Sequence, residues 1–415
     1  MHKTNLPTII SSSFNEVIQS CLIYNEIAFL GLRNGFIEIF DYKKNSKIGE
    51  ITDLFENEPE KGEKEKKFNP HSNQIISIQL IKELKNNLII FIQSRGGIIF
   101  ILNYNIKDNN SRLLNKYDSK IETFTEFFLT NKINRKEWEK ELKNNIKINN
   151  TYKIIYPLEK NNEIDILFYQ LNEKEEDTIK YKEKINQNFD YIIDENGQQI
   201  LDVYKDMESK ILQIIHLSKE DETIFGNYIV MLYEKTLIFI LDETMNYVSH
   251  YSLSFSLKLY ESIINIYSFK FQNNYYICIG LFSQNLIILK FDSEKRELNF
   301  YENIKNICPE IKYGISCFTS GSVKSNDLFV DEELIENKFL LFAGTYSKRV
   351  KIFEIVYENN NKSNGENKIN IKEKIKFNDL GNLIVDNSGA INQIHFNDGN
   401  LFVICDRKIL YIYSV

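Results

Sequence analysis

Apolar and polar positions alternate along this chain in short runs separated by turn residues, the period-two pattern of β-strands. The first clear instance is Ala28-Phe29-Leu30-Gly31-Leu32-Arg33-Asn34-Gly35 followed by Phe36-Ile37-Glu38-Ile39-Phe40-Asp41. Both arms alternate, and Asn34-Gly35 suits a type I′ turn, whose two central residues take positive φ. The second instance places Arg95-Gly96-Gly97 between residues 88–94 and 98–104, with glycine again in the turn. Further copies end in residues 164–169, 236–242, 285–292, 349–354 and 408–413.

Seven such strands begin near residues 36, 98, 165, 236, 285, 348 and 408, about 62 residues apart on average. That is some twenty more than the ~40–45 residues of a minimal WD40 blade. The excess lies in charged, Asn-rich stretches at about 56–67 (ENEPEKGEKEKK), 132–150, 173–184 and 358–376, too polar to bury and read as solvated loop insertions. Around Trp138 and Leu142 a short helix stays open. Each repeat also has an upstream arm fit for the innermost strand of a blade: 17–24, 75–81, 121–129, 211–217, 263–271, 315–319 and 391–396. Seven sheets of about four strands, arranged radially, predict an all-β fold: one seven-bladed WD40-type β-propeller spanning residues 1–415. Because the chain ends inside a strand, closing the ring requires residues 8–12 to supply the outer strand of the last blade.

Composition sharpens this picture. The chain has 24 Tyr and 29 Phe against one Trp, and is rich in Ile, a palette for pleated, half-buried surfaces. Phe or Tyr stands where WD40 repeats usually carry Trp. With 43% apolar and 26% charged residues over 415 positions, the chain can bury a large core and is not disordered throughout. A formal charge of -7 argues against broad attraction to phosphate backbones, so no direct nucleic-acid partner is expected. No apolar run approaches the ~18 residues of a membrane span, and the first residues lack a signal-peptide core, so an intracellular, soluble protein is expected. Cys21, Cys278, Cys308, Cys317 and Cys405 form no C-x-x-C pair and read as reduced thiols.

Chemistry-bearing motifs are scarce. There is no phosphate-cradling glycine loop, nucleophile elbow or H-E-x-x-H, and the histidines at 2, 71, 216, 250 and 395 lack ligand spacing. His71-Ser72 and Ser388-Gly389-Ala390 precede inner strands, where a structural bond to a neighbouring hairpin is the expected role. The carboxylates within 56–65 and 190–194 have no apolar flanks to shift a pKa and read as solvated charge. Lys348 and Lys351, interleaved with Tyr346 and Phe353, would point away from one continuous track on a strand. The expectation is therefore a non-enzymatic protein with no catalytic, cofactor-binding or metal residue and no cofactor.

Several segments in order resemble the ASTRA-associated protein 1 family of divergent WD40 proteins, also called G-protein β-subunit-like protein 1 in animals. Gly314-Ile315-Ser316 with Ala343-Gly344 and Arg349-Val350-Lys351-Ile352-Phe353 is similar to that family's "GIS … AGWDxRIRVF". Gly389-Ala390-Ile391 through Phe396, then Asp406-Arg407-Lys408-Ile409, is similar to "GAVxxVAF … DxRISLW". Gln93-Ser94-Arg95-Gly96 and Ile155-Tyr156-Pro157 resemble two further motifs. The chain departs where Tyr346-Ser347 replaces the Trp-Asp pair and an acidic insert at 327–336 replaces an Arg-Pro-Asp. The resemblance implies a scaffold acting with the TTT co-chaperone complex and the Rvb AAA+ ATPases in assembling phosphatidylinositol-3-kinase-related kinases (PIKKs) and Tra-type proteins, linked to chromatin remodelling, in nucleus and cytoplasm. A generic WD40 adaptor and a propeller hydrolase are the alternatives.

Overall fold

The computed structural model describes residues 7–55, 72–118, 128–129, 151–157, 163–172, 178–188, 211–217, 228–233, 237–241, 247–252, 262–272, 274–308, 314–324, 337–358, 374–385, 389–405 and 408–415. Among the described residues there are twenty-eight strands in seven four-stranded antiparallel sheets, and no helix. In the first sheet Ile18–Tyr24, Ile27–Leu32, Ile37–Asp41 and Ser46–Ile51 pair in sequence order. The other sheets repeat this order, and their first strands are Ile75–Leu84, Phe128–Leu129, Ile211–Leu217, Ile263–Phe271, Ile315–Lys324 and Ile391–Asn397. First strands touch one another from the fourth sheet through the seventh, the seventh touches the first, and the first touches the second, so the first and last blades close on each other. The architecture is the β-propeller expected from the seven repeats.

Closure occurs where the strand count required it. Thr8–Ser11 adds antiparallel to Ile409–Ser414, pairing Ile9 with Tyr411 and Ile10 with Leu410, and so completes the seventh blade. Ile10 is fully buried in the wedge between the seventh and first blades, so this strand is held by packing as well as by its ladder.

The core is a set of wedges between neighbouring blades. Each described junction carries an aromatic pair: Phe29 and Tyr104 (4.9 Å between ring centroids) join blades one and two, and Tyr228 and Phe291 (4.7 Å) join four and five. Phe269 and Phe339, Phe342 and Phe396, and Tyr42 and Phe402 join five to six, six to seven and seven to one. The Phe and Tyr excess thus supplies the inter-blade contacts, mostly in tilted or edge-to-face geometry that suits ring quadrupoles. Middle strands such as Ile37–Asp41 and Leu237–Leu241 are buried at every position, because a neighbouring blade covers each face. There the expected alternation gives way to continuous burial.

Some sequence expectations need correction. Residues 173–184 were expected to be a loop insertion, but Thr178–Asn188 is the outermost strand of the third blade, paired with Glu163–Asn172. Pairing along the whole of Glu163–Asn172 supplies the strand's backbone partners, which the charged run of letters does not display. Likewise Lys374–Ile384 begins inside the expected 358–376 insertion. The 56–67 and 132–150 stretches, Trp138 included, and residues 359–373 lie outside the described residues. The inner strand expected at 315–319 continues to Lys324.

The Asn34-Gly35 turn is also not type I′. Gly35 has φ 91° but Asn34 is not at positive φ, and Gly35 N–H donates to Leu32 O while Leu32 N–H donates to Phe36 O. This is the three-residue connection of a type I turn closed by a residue in the left-handed region. Arg95-Gly96-Gly97 repeats it, with Gly97 at φ 84°.

Candidate protein interface

Each described inner strand except the two-residue one starts with an isoleucine, Ile18, Ile75, Ile211, Ile263, Ile315 or Ile391, and Ile18, Ile75, Ile263, Ile315 and Ile391 are buried. In all six the ladder shifts register between that isoleucine and the residue two positions on, Ser20, Ser77, Gln213, Asn265, Cys317 and Gln393. Such a bulge re-aims the following side chain, and here it supplies bonds to the next blade. Ser20 Oγ donates to Ile75 O (2.8 Å), and Gln213 exchanges two bonds with the backbone of Ile266 (2.9 and 3.0 Å). Ser316 Oγ donates to Ile391 O (2.5 Å), and Cys21 N–H donates to Gln393 Oε1 (3.0 Å). These groups satisfy one another and act as staples around the ring.

Because the sheets are antiparallel and run in sequence order, every connection between second and third strands lies at the end where inner strands begin. This end is termed the upper face. Four described connections share one build: Arg33-Asn34-Gly35, Arg95-Gly96-Gly97, Phe282-Ser283-Gln284 and Tyr346-Ser347-Lys348. The third residue of each is at positive φ: Gly35, Gly97, Gln284 (69°) and Lys348 (65°). The first residue donates its N–H to the backbone just before the inner strand of the same blade: Arg33 to Val17 O, Arg95 to Gln74 O, Phe282 to Ser262 O and Tyr346 to Gly314 O, at 2.8–3.2 Å. With the backbone so fixed, all four first residues present exposed side chains. The result is a rim with cations on blades one and two and aromatics on blades five and six, where Phe282 is 43% exposed and Tyr346 39%.

Charge differs between the two ends. In the described turns and connections of the upper face the cations are Arg33, Arg95, Lys305, Lys348 and Lys408, and the acids are Glu16 and Asp53. Among the described residues none of these five cations has an ion-pair partner. At the opposite end Lys43 meets Glu26 (2.9 Å), Lys44 meets Asp41 (2.7 Å) and Lys295 meets Asp292 (3.9 Å). A groove of about 700 Å³ at that end, between Tyr24, Lys43, Ile106 and Asp398, is lined by the paired Glu26, Lys43, Asp41 and Lys44 together with Asp398. Bonds from Lys44 hold the Asp41 carboxyl below its usual range.

The residues singled out in the sequence fall as follows. Lys348 is exposed in its turn, whereas Lys351 is 5% exposed and bonded to Asp379 (2.6 Å), so the two form no common track. His71, Ser388 and the carboxylates within 56–65 and 190–194 lie outside the described residues. All five cysteines are buried; burial pushes the Cys21 and Cys278 thiols well up, and that of Cys317 up to about 12. Among the described residues no three His, Cys, Asp or Glu side chains cluster as a metal site would require. The rim was missed because its signal is partial. Arg-x-Gly marks it in blades one and two, but Gln284 and Lys348 take positive φ without being glycine.

No protein-family model matches the chain, and no curated protein sequence matches it. Solved structures do. Raptor of Chaetomium thermophilum is 12% identical and aligns over all of this chain with a TM-score of 0.58, the chain spanning 29% of Raptor's length. The Cps50 (Swd1) β-propeller domain of Myceliophteria thermophila is 9% identical, aligned over the whole of both chains with a TM-score of 0.56. Sqt1 of Saccharomyces cerevisiae is 10% identical, covering 100% of this chain and 99% of its own, with a TM-score of 0.52. At such identities the likeness establishes the β-propeller fold alone.

Proposed function

We propose that this chain is a non-enzymatic WD40-type scaffold that assembles protein partners on its upper face. The observation that carries the reading is the rim of Arg33, Arg95, Phe282 and Tyr346, four structurally equivalent positions that hold exposed side chains on a stapled frame. Arginine and aromatic side chains are those most enriched among binding hot spots. The five buried thiols, with those of Cys21, Cys278 and Cys317 raised in pKa, are poor nucleophiles and favour binding over a propeller hydrolase that uses a thiol.

The finer reading is a subunit working with the TTT co-chaperone and the Rvb ATPases in the assembly of PIKKs and Tra-type proteins, in nucleus and cytoplasm. It is supported by the ordered motifs Gly314-Ile315-Ser316, Ala343-Gly344, Arg349 to Phe353 and Gly389-Ala390-Ile391. Affinity purification under mild conditions with mass spectrometry tests it: recovery of TTT or kinase subunits is expected. Recovery of an unrelated complex in their place would leave a generic adaptor.

A further inference from the structure

The rim is chemically divided, and the division specifies a partner. Arg33 and Arg95 stand on adjacent blades, each the first residue of its turn and each without an ion pair among the described residues, in a chain whose net charge is -7. Lys305, Lys348 and Lys408 add cations with no ion-pair partner among the described residues to the same face, against two acids in its described turns and connections. At the opposite end Lys43, Lys44 and Lys295 are paired within their own or a neighbouring turn, and Lys85 and Lys107 are accompanied by the exposed acids Asp108, Glu294 and Asp398. Described upper-face turns and connections with five cations against two acids attract negative charge and orient its approach. On the far side of the rim, Phe282 and Tyr346 offer exposed apolar area at equivalent places in blades five and six. The Tyr346 hydroxyl is the sheltered end: burial, and then the neighbouring Cys317, raises its pKa.

We propose that the upper face docks an acidic segment of a partner protein that carries a bulky apolar side chain. Its carboxylates meet Arg33 and Arg95, and its apolar side chain packs on Phe282 and Tyr346. The planar guanidinium forks match carboxylate geometry two bonds at a time, which an ammonium does not. A nucleic acid is the less suitable ligand, because the aromatics lie across the rim from the arginines and not interleaved with them along one track.

The proposal rests on the scaffold reading and deepens it. The test uses the full chain and a fluorescein-labelled twelve-residue peptide of alternating Asp and Glu around one central Phe. Fluorescence anisotropy should show binding that weakens as salt rises. Arg33→Glu with Arg95→Glu should weaken it roughly tenfold or more, and Phe282→Ala with Tyr346→Ala should weaken it several-fold without removing the salt dependence. Lys43→Glu with Lys44→Glu, at the opposite end, should leave it unchanged. All substituted side chains are exposed, and unchanged urea midpoints would establish that the variants fold.

Equal binding of a peptide with Lys in place of the acids would overturn the proposal, as would tighter binding of a single-stranded oligonucleotide. Binding that emerges only after deletion of residues 56–67 would assign the face to the chain's own charged connection and overturn it too. Failure of the scaffold reading is separable: it would appear as no protein partner in affinity purification while the peptide still bound.

Discussion

Glu38 and Lys351 occupy the same place in two blades, each the second residue of the core run of a third strand, paired across from Leu30 and Ala343 respectively. Both are buried charges, of opposite sign, where blades two and five carry Phe100 and Ile287. Glu38 receives the Ser13 N–H (3.0 Å) and hydroxyl and meets Lys47 Nζ (3.3 Å). It thereby fastens the segment that follows the closing strand Thr8–Ser11 to the first blade.

Glu38→Ala should therefore act on ring closure. The loss leaves the Ser13 N–H without its acceptor and Lys47 without one of its two carboxylates, and should cost about 3 kcal/mol. Urea unfolding measures it. Deleting residues 1–13 should cost more, and adding Glu38→Ala to that deletion should add little, because both act through one latch.

Among the described residues Lys351 has one carboxylate partner, Asp379, whose side chain is 58% exposed. Asp379→Asn should destabilise by leaving a buried ammonium without its counter-charge, whereas Lys351→Met, similar in length and apolar, should be neutral or stabilising. Although partial burial works against it, the Lys351 bond holds the Asp379 carboxyl below its ordinary pKa. Its contribution is thus present above the unfolded value near 4 and is lost as pH falls through the lower folded value. Acid titration of wild type against Lys351→Met checks this.

Gly31, Gly280 and Gly344 are equivalent, and each sits under the first isoleucine of the next inner strand. A Cβ on Gly31 would lie 2.6 Å from an Ile75 methyl and against Ser20 Oγ; one on Gly344 would lie 2.6 Å from Cys317 Sγ. Gly31→Ala or Gly344→Ala should cost about 2 kcal/mol by overpacking, read as a lowered urea midpoint. Gly49→Ala meets only ordinary contacts from 3.6 Å outward and should stay within about 0.5 kcal/mol of wild type.

His395, in the inner strand of the seventh blade, has a buried Nε2 with no hydrogen-bond partner. Burial lowers its pKa to about 4, against a smaller opposing effect of a bond to the Cys21 backbone. The native ring is neutral while the unfolded ring takes a proton below about 6.5, so stability should be full above that pH. It should then decline towards pH 4, by roughly 3 kcal/mol at most. His395→Gln should flatten this part of the stability profile, as urea midpoints at pH 7 and pH 4.5 would reveal. An unchanged slope would place the acid sensitivity elsewhere.

What the sequence determined by itself is the local grammar: the repeating strands, their glycine-bearing turns, the need for residues 8–12 to complete the last blade, and hence a propeller. Alternation and turn chemistry act over a few residues, so they are written in neighbouring positions. Even there the reach was limited, since the turn at Asn34-Gly35 and the strand at Thr178–Asn188 depend on pairing partners that a run of letters does not display. Only the tertiary structure decided that Ser20 would staple Ile75, that Glu38 and Lys351 would be buried while Lys348 is exposed, and that Arg33, Arg95, Phe282 and Tyr346 would share one rim. Radial packing covers both faces of each blade and gathers residues more than fifty positions apart at one end, and that juxtaposition, not any single motif, makes the proposed interface.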